Sequence, residues 1–190
     1  MSIAAHLRMH DSLRPRRRLR AAQAERDVSE RLAPLASPAS VASHPPVSVD
    51  RMNRQSEHTL RRRVNFYECD PAGIVHFSNF YRYMEEAEHA FWRAAGLSLT
   101  DVRELGFPRV SAAFDFHAPL KYDDEFEVTL RTAAIGRTSI RYACVITRGD
   151  TPIATGTMTM VCVDIGPPMC AVPVPAALRE RVEVAPPTAG

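Results

Sequence analysis

The sequence predicts an α+β domain in which a five-stranded antiparallel sheet wraps around one long central helix. Three observations carry that prediction. Phe80, Met84, Ala87, Phe91 and Ala94 recur at helical spacing, an apolar stripe about four turns long that needs a broad surface to lie against. One strand-like run, Thr59 to Glu68, precedes the stripe, and four follow it: Arg109 to Phe116, Glu125 to Ile135, Ser139 to Thr147 and Ile153 to Asp164. The breaks Gly136-Arg137 and Gly149-Asp150-Thr151-Pro152 are short enough for hairpins, which makes the strands they join antiparallel.

Taken in order, the chain opens on residues 1–58, with 10 arginines against 6 acids, a basic cluster from Arg14 to Arg20 and a Pro/Ala/Ser-rich stretch from Ala33 to Val49. Such a composition cannot offset the entropy of ordering, so this leader is expected to be disordered. A secretory signal would need an apolar run after the charges, and none is there. A transit peptide would be poor in acids, against which stand Asp11, Glu25, Asp27 and Glu30. The composition becomes domain-like just after Met52, which makes Met52 the expected native start. The domain is expected over residues 59–165, with 166–190 as a Pro-rich C-terminal tail that holds a short turn at Ala176 to Val182.

In the first strand, Leu60, Val64, Phe66 and Tyr67 interleave with arginines. Asp70-Pro71-Ala72-Gly73 then breaks it as a turn, with positive φ available at Gly73. Ser78 or Asn79 is placed to cap the following helix, and Gly96 sits where its C-terminal cap belongs. A short helical turn is expected from Thr100 to Leu105. The four later strands read as a meander in which Val128, Leu130, Ile140, Tyr142, Cys144, Ile146, Met158, Met160 and Cys162 supply one buried face. Both edges of such a sheet stay open, and a domain this small buries a modest core, so dimerisation by edge pairing is expected.

Charge and cysteine usage exclude several classes of function. Beyond the leader, 14 basic residues face 16 acids, which argues against a nucleic-acid surface on the domain. The four cysteines, Cys69, Cys144, Cys162 and Cys170, have no CxxC spacing and fit neither a disulfide scaffold nor structural zinc. No apolar run approaches the roughly 20 residues of a membrane helix, and the expected location is cytoplasmic.

The chemistry-bearing stretch is Cys69-Asp70-Pro71-Ala72-Gly73-Ile74-Val75-His76-Phe77, which leads straight into the helix. It sets a carboxylate beside the free N–H groups of a helix N-terminus, where developing negative charge is favoured. The residues alone leave Asp70 open between a catalytic carboxylate and an Asx-turn or capping residue. His76 reads either as a polarising group or as pocket lining. Cys69 reads as a small hydrophobe, since no base is placed beside it, and its side chain points opposite to that of Asp70 if the strand persists. Asn79 is expected to order the turn or the substrate carbonyl. Glu85 and Glu86 read as structural ion-pair partners, and His89 and His117 as satisfied polar residues.

The stretch Tyr67-Glu68-Cys69-Asp70-Pro71-Ala72-Gly73-Ile74-Val75-His76-Phe77-Ser78-Asn79-Phe80 resembles the hot-dog-fold acyl-CoA thioesterases. The match is to the 4-hydroxybenzoyl-CoA thioesterase family and its Tol-Pal-associated branch. It continues through Glu85, Ala118-Pro119-Leu120-Lys121-Tyr122-Asp123-Asp124, Gly136-Arg137-Thr138-Ser139 and Val161-Cys162-Val163-Asp164, over about residues 60–175. The resemblance implies the hot-dog fold and hydrolysis of acyl-CoA to free acid and CoA, with no cofactor beyond the CoA of the substrate. Asp70 would be the nucleophile or general base, Gly73 the turn residue and Phe77 the donor of a backbone N–H to the thioester oxygen. Substrate would be bound by His76, Asn79 and, at the CoA phosphates, Arg137, Thr138 and Ser139. The family also implies an active site shared across a homodimer, with a homotetramer as the larger assembly. Two other readings stand beside it: a thioesterase acting on acyl carrier protein, and a hot-dog module that binds acyl-CoA without turnover. A hot-dog dehydratase fits less well, because Ser78 follows Phe77 where that class carries a Pro-Gly pair.

Overall fold

The computed structural model describes residues 54–97 and 104–187. In chain order these form β1 (Glu57–Arg63), a 3-10 turn (Phe66–Glu68), α1 (Ser78–Ala94), β2 (Leu105–Gly106), β3 (Arg109–Phe116) and β4 (Glu125–Ile135). There follow β5 (Ser139–Arg148), β6 (Thr151–Val161), β7 (Val163–Asp164), β8 (Cys170–Ala171) and α2 (Ala176–Arg179). The five long strands make one antiparallel sheet in the order β1-β4-β5-β6-β3. The expected α+β hot-dog architecture, one sheet around one long helix, is the one found. Residues 1–53, with the basic leader and Met52, lie outside the described residues, as do residues 100–103 of the Thr100 to Leu105 turn; Leu105 itself opens β2.

α1 forms where the stripe predicts. Phe80, Met84, Ala87 and Phe91 are buried, while Ala94 is exposed and Ala95 takes its place against the core. Gly96 ends the helix at φ 68°, and Leu97 N–H donates to Trp92 O at 2.9 Å, a left-handed terminus that a residue with Cβ rarely adopts. At the other end neither Ser78 nor Asn79 is the cap. The helix starts at Ser78 with Phe77 in the cap position and no side-chain bond from it; the ring of His76, one residue further out, has its Nδ1 2.8 Å from Ser78 Oγ and accepts the Ser78 N–H at 3.4 Å.

The sheet departs from a simple meander. Only β4, β5 and β6 are joined by consecutive hairpins; β3 pairs with β6 and forms the edge opposite β1. The chain must therefore cross the end of the sheet between β3 and β4, and the buried Leu120 anchors that crossing. The predicted interior face holds: Val128, Leu130, Ile140, Tyr142, Cys144, Ile146, Met158, Met160 and Cys162 are all buried. Burial pushes the Cys144 thiol up to about 12, as suits a thiol used as a core hydrophobe. Cys162 ends the β6 run, so the expected strand to Asp164 is split into β6 and β7.

The first strand also stops early, at Arg63. Val64 is locked to the crossing, its N–H donating to Asp124 O at 2.9 Å and its carbonyl accepting Asp123 N–H at 3.1 Å. Residues 66–68 then turn as a 3-10 helix instead of extending the strand. The Pro-rich segment beyond 165, expected to trail, is packed. Val172, Val174, Ala177, Leu178 and Val182 are buried, and Glu183 N–H donates to Gln55 O at 3.1 Å. Its valines close the end of the core nearest the β4–β5 hairpin, where Val174 N–H donates to Arg137 O at 2.8 Å. Among the described residues no helix is long and apolar enough to cross a membrane.

Candidate active site

The loop from Cys69 to Val75 is a miniature hairpin. Cys69 and Val75 bridge, and Asp70 N–H donates to Ile74 O at 2.9 Å. At its tip Gly73 N–H donates to Asp70 O at 2.9 Å, with Gly73 at φ 77°. No heavy atom lies within 4 Å of where a Gly73 Cβ would stand, so glycine is required there by conformation and not by space. The loop leans on the β3–β4 crossing: Val75 N–H donates to Leu120 O at 2.8 Å, and Ile74 bridges Lys121. The position of the loop is thus set by backbone bonds to a distant part of the chain.

Asp70 is half-buried in this loop, and its Oδ1 accepts the Ala72 N–H at 2.8 Å. That is the Asx-turn geometry expected of an aspartate before proline, and it leaves the second carboxylate oxygen without a hydrogen bond among the described residues. Phe77 ends the approach to α1. Asn79 N–H donates back to His76 O and Phe80 N–H to Phe77 O, so two donors of the first helical turn are consumed locally. The Phe77 N–H donates no hydrogen bond among the described residues; the residue is 59% exposed, and its ring lies 4.5 Å from the His76 ring, tilted by 41°. With Nδ1 facing Ser78, His76 favours the tautomer protonated at Nε2.

Asn79 has a structural bond: its Nδ2 donates to Glu68 O at 2.8 Å, tying the helix to the incoming turn. Cys69 packs against the core. Glu86 pairs with Arg62 at 3.1 Å and Glu85 with Arg109 at 3.7 Å, the ion pairs expected of them. His117 Nε2 lies 3.0 Å from Thr155 Oγ1. Around the first turn of α1, Phe80, Tyr81, Phe114 and Phe116 form an aromatic cluster with centroid separations of 4.9–6.1 Å. Phe114 rests on the bare backbone of Gly156, where a Cβ would stand 2.6 Å from the ring.

Arg137, Thr138 and Ser139 are not brought to Asp70 within one chain. They occupy the β4–β5 hairpin, whereas the Asp70 loop leans on residues just before β4, so the 11-residue length of β4 separates them, roughly 33 Å of strand. Their backbones are engaged at that far end: Arg137 O accepts from Val174 and Arg179, and Thr138 O accepts the Cys162 N–H.

Two buried carboxylates were not singled out from the sequence. Glu68, 5% exposed, accepts Arg62 Nη2 at 3.1 Å on Oε1 and Asn65 N–H at 2.7 Å on Oε2. Its signal was the Asn65-Phe66-Tyr67-Glu68 spacing of a capping box. Beneath it the Arg62 guanidinium stacks 4.5 Å over the buried Tyr83 ring; burial, reinforced by the Glu68 charge, pushes the Tyr83 phenol well up. Glu88, 1% exposed, pairs with Arg109. Burial pushes its carboxyl above the usual range, and Arg109 pulls it back only in part. Its signal was an acid lying within the apolar stripe of the helix. Among the described residues no group of three or more His, Cys, Asp or Glu side chains is placed to hold a metal.

Comparison with known proteins follows the same stretch. The thioesterase-like superfamily profile matches residues 64–182. A protein of Aquifex aeolicus that carries the provisional description of an esterase is 40% identical over 96 residues, half of this chain and 75% of its own length. A 1,4-dihydroxy-2-naphthoyl-CoA hydrolase of Synechococcus elongatus is 26% identical over 113 residues, 57% of this chain and 83% of the relative. Among solved structures, an Asp-to-Asn variant of 4-hydroxybenzoyl-CoA thioesterase, complexed with 4-hydroxybenzoyl-CoA, superposes with a TM-score of 0.59 at 26% identity. It covers 67% of this chain and 99% of that one.

Proposed function

The chain belongs to the thioesterase-like superfamily and is a thioester hydrolase; from that premise we propose that it cleaves acyl-CoA with Asp70 as the reacting carboxylate and the Phe77 N–H as the donor to the carbonyl oxygen. The observation that carries this reading is a half-buried aspartate with one oxygen unbonded, followed by an N–H at the start of α1 that donates to nothing among the described residues. Attack on a thioester carbonyl moves charge onto its oxygen, and one fixed donor there contributes about 2.7–4 kcal/mol to the transition state. Asp70 serves either by attacking the carbonyl carbon, expelling CoA thiolate and leaving an anhydride for water to open, or by taking the proton of an attacking water. The names of the relatives and the aromatic cluster beside the helix start both favour aromatic acyl groups as substrates.

The working unit in this reading is a homodimer. β3 is an open edge with Val110 and Phe116 exposed. A second copy pairing antiparallel with it runs in the opposite sense, so the partner's β4–β5 hairpin would come alongside this chain's Asp70 loop. Arg137 would there meet the CoA phosphates, for which its planar fork is suited.

The test is a free-thiol assay across aromatic, short and long acyl-CoAs with Asp70→Asn and Asp70→Ala. Turnover is expected to fall by about 10³-fold or more in both, with thermal unfolding unchanged. Wild-type hydrolysis by either variant sinks the assignment. Sedimentation of the wild-type protein as a monomer at assay concentration sinks the shared site.

A further inference from the structure

Glu68 is the one side chain that the described site holds from both sides and that the proposed chemistry does not use. Its carboxylate is buried and taken up by Arg62 Nη2 at 3.1 Å and by Asn65 N–H at 2.7 Å. Its carbonyl accepts the His76 N–H at 3.0 Å and Asn79 Nδ2 at 2.8 Å. One residue therefore binds the strand that enters the loop, the 3-10 turn and the first residues of the helix. Asp70 lies two residues after it, and Phe77 follows the His76 whose N–H it holds.

We propose that Glu68 is a positioning residue for thioester hydrolysis, its clamped carboxylate fixing the separation and orientation of the Asp70 carboxylate and the Phe77 N–H. This rests on the assignment of those two groups above. The physical case is that the two groups sit on opposite limbs of a small hairpin, and the only described bonds from the incoming turn to the helix start run through the carbonyl of Glu68. A carboxylate in this frame accepts charge-assisted bonds on both oxygens. A neutral amide of the same shape keeps one acceptor and turns a donor toward Arg62 or Asn65, each of which is itself a donor. The 66–68 turn then rotates, and displacements of about 1 Å at a reacting group cost about 100-fold in rate.

Three variants test this: Glu68→Gln, Asn65→Pro and the double variant Glu68→Gln/Asp70→Asn, each with kcat, KM and thermal unfolding. Asn65 sits at φ −86° and ψ 152°, where proline is tolerated, so Asn65→Pro deletes both donors to Oε2, the backbone N–H and Nδ2 at 3.5 Å, without altering Glu68. Glu68→Gln is expected to lower kcat by about 10- to 100-fold with KM within about threefold. Asn65→Pro should lower kcat by a smaller factor in the same pattern, and it carries the test if Glu68→Gln does not fold. The double variant should be no slower than Asp70→Asn alone, because a group that acts through Asp70 adds nothing once Asp70 is gone. An unchanged kcat in the folded single variants overturns the proposal, as does a rise in KM alone or a loss that adds to that of Asp70→Asn. Full activity of Asp70→Asn itself would instead overturn the assignment of Asp70, so the two failures are distinct.

Discussion

The two ends of the sheet are built on opposite terms. At the Asp70 end the loop is fixed by backbone bonds to the crossing and by the carbonyl of Glu68, with one Asp70 carboxylate oxygen and the Phe77 N–H left without a hydrogen bond among the described residues. At the β4–β5 hairpin the backbone carbonyls are taken by Val174, Cys162 and Arg179, and what remains outward is the exposed Arg137. One end offers directed groups suited to a bond-making step; the other offers a charge suited to holding a ligand. A single chain keeps the two a strand's length apart, which is why a partner is part of the functional reading.

That contrast predicts a clean split in kinetics. Asp70→Ala should abolish kcat by about 10³-fold or more with little change in KM, whereas Arg137→Ala should raise KM for acyl-CoA about tenfold with kcat nearly intact. Steady-state kinetics on both variants checks it, and a shared kcat defect would mean that the hairpin does more than bind. A smaller effect separates two glycines. Gly73 (φ 77°) and Gly149 (φ 55°) both have open space where Cβ would stand, so alanine at either should cost about 1–2 kcal/mol in unfolding free energy. Only Gly73→Ala should also reduce kcat, because Gly149 turns the β5–β6 hairpin and not the site loop. Denaturant melts paired with activity assays read both quantities.

The smallest effect concerns the second buried acid. Burial raises the Glu88 carboxyl above its ordinary 4.5, so the folded protein binds that proton more tightly than the unfolded chain. The associated stability is full below the unfolded value and is lost as pH rises through the folded one, with a slope of at most about 1.4 kcal/mol per pH unit. Urea melts from acid to neutral pH should show this decline in the wild type and its loss in Glu88→Gln, with no change in kcat at neutral pH.

Much of this was legible in the sequence, for reasons that residues make plain. The helix was written in its stripe and in Gly96, and the interior face in the alternation within the runs 128–130, 140–146 and 158–162. The Asp70 turn was written in Pro71 and Gly73. What was not legible depended on partners chosen in space. Nothing local says that β3 pairs with β6, so neither the crossing nor the distance from Arg137 to Asp70 could be read. The helix cap looked like a matter for Ser78 or Asn79, yet Phe77 holds the cap position, Asn79 spends its amide on Glu68 and the imidazole of His76 takes the Ser78 N–H. The prolines after residue 165 masked Val172, Val174, Leu178 and Val182, which the core needs. Glu68 lies within the motif that carries Asp70, but its importance lies in Arg62, Asn65, His76 and Asn79, four positions that no single periodicity joins.

The leaning of the Asp70 loop on Leu120 and Lys121 has a consequence in time. During synthesis the loop and α1 emerge well before the crossing that holds them, and β3 must also be made first. A ribosome-bound chain ending within β3 can form the helix and the small hairpin, but it lacks the Leu120 carbonyl that takes the Val75 N–H and the Lys121 that bridges Ile74. Reactive geometry therefore arrives late, after most of the helix and only once the chain has doubled back across the sheet, and the nascent protein passes through its early lengths without a finished site.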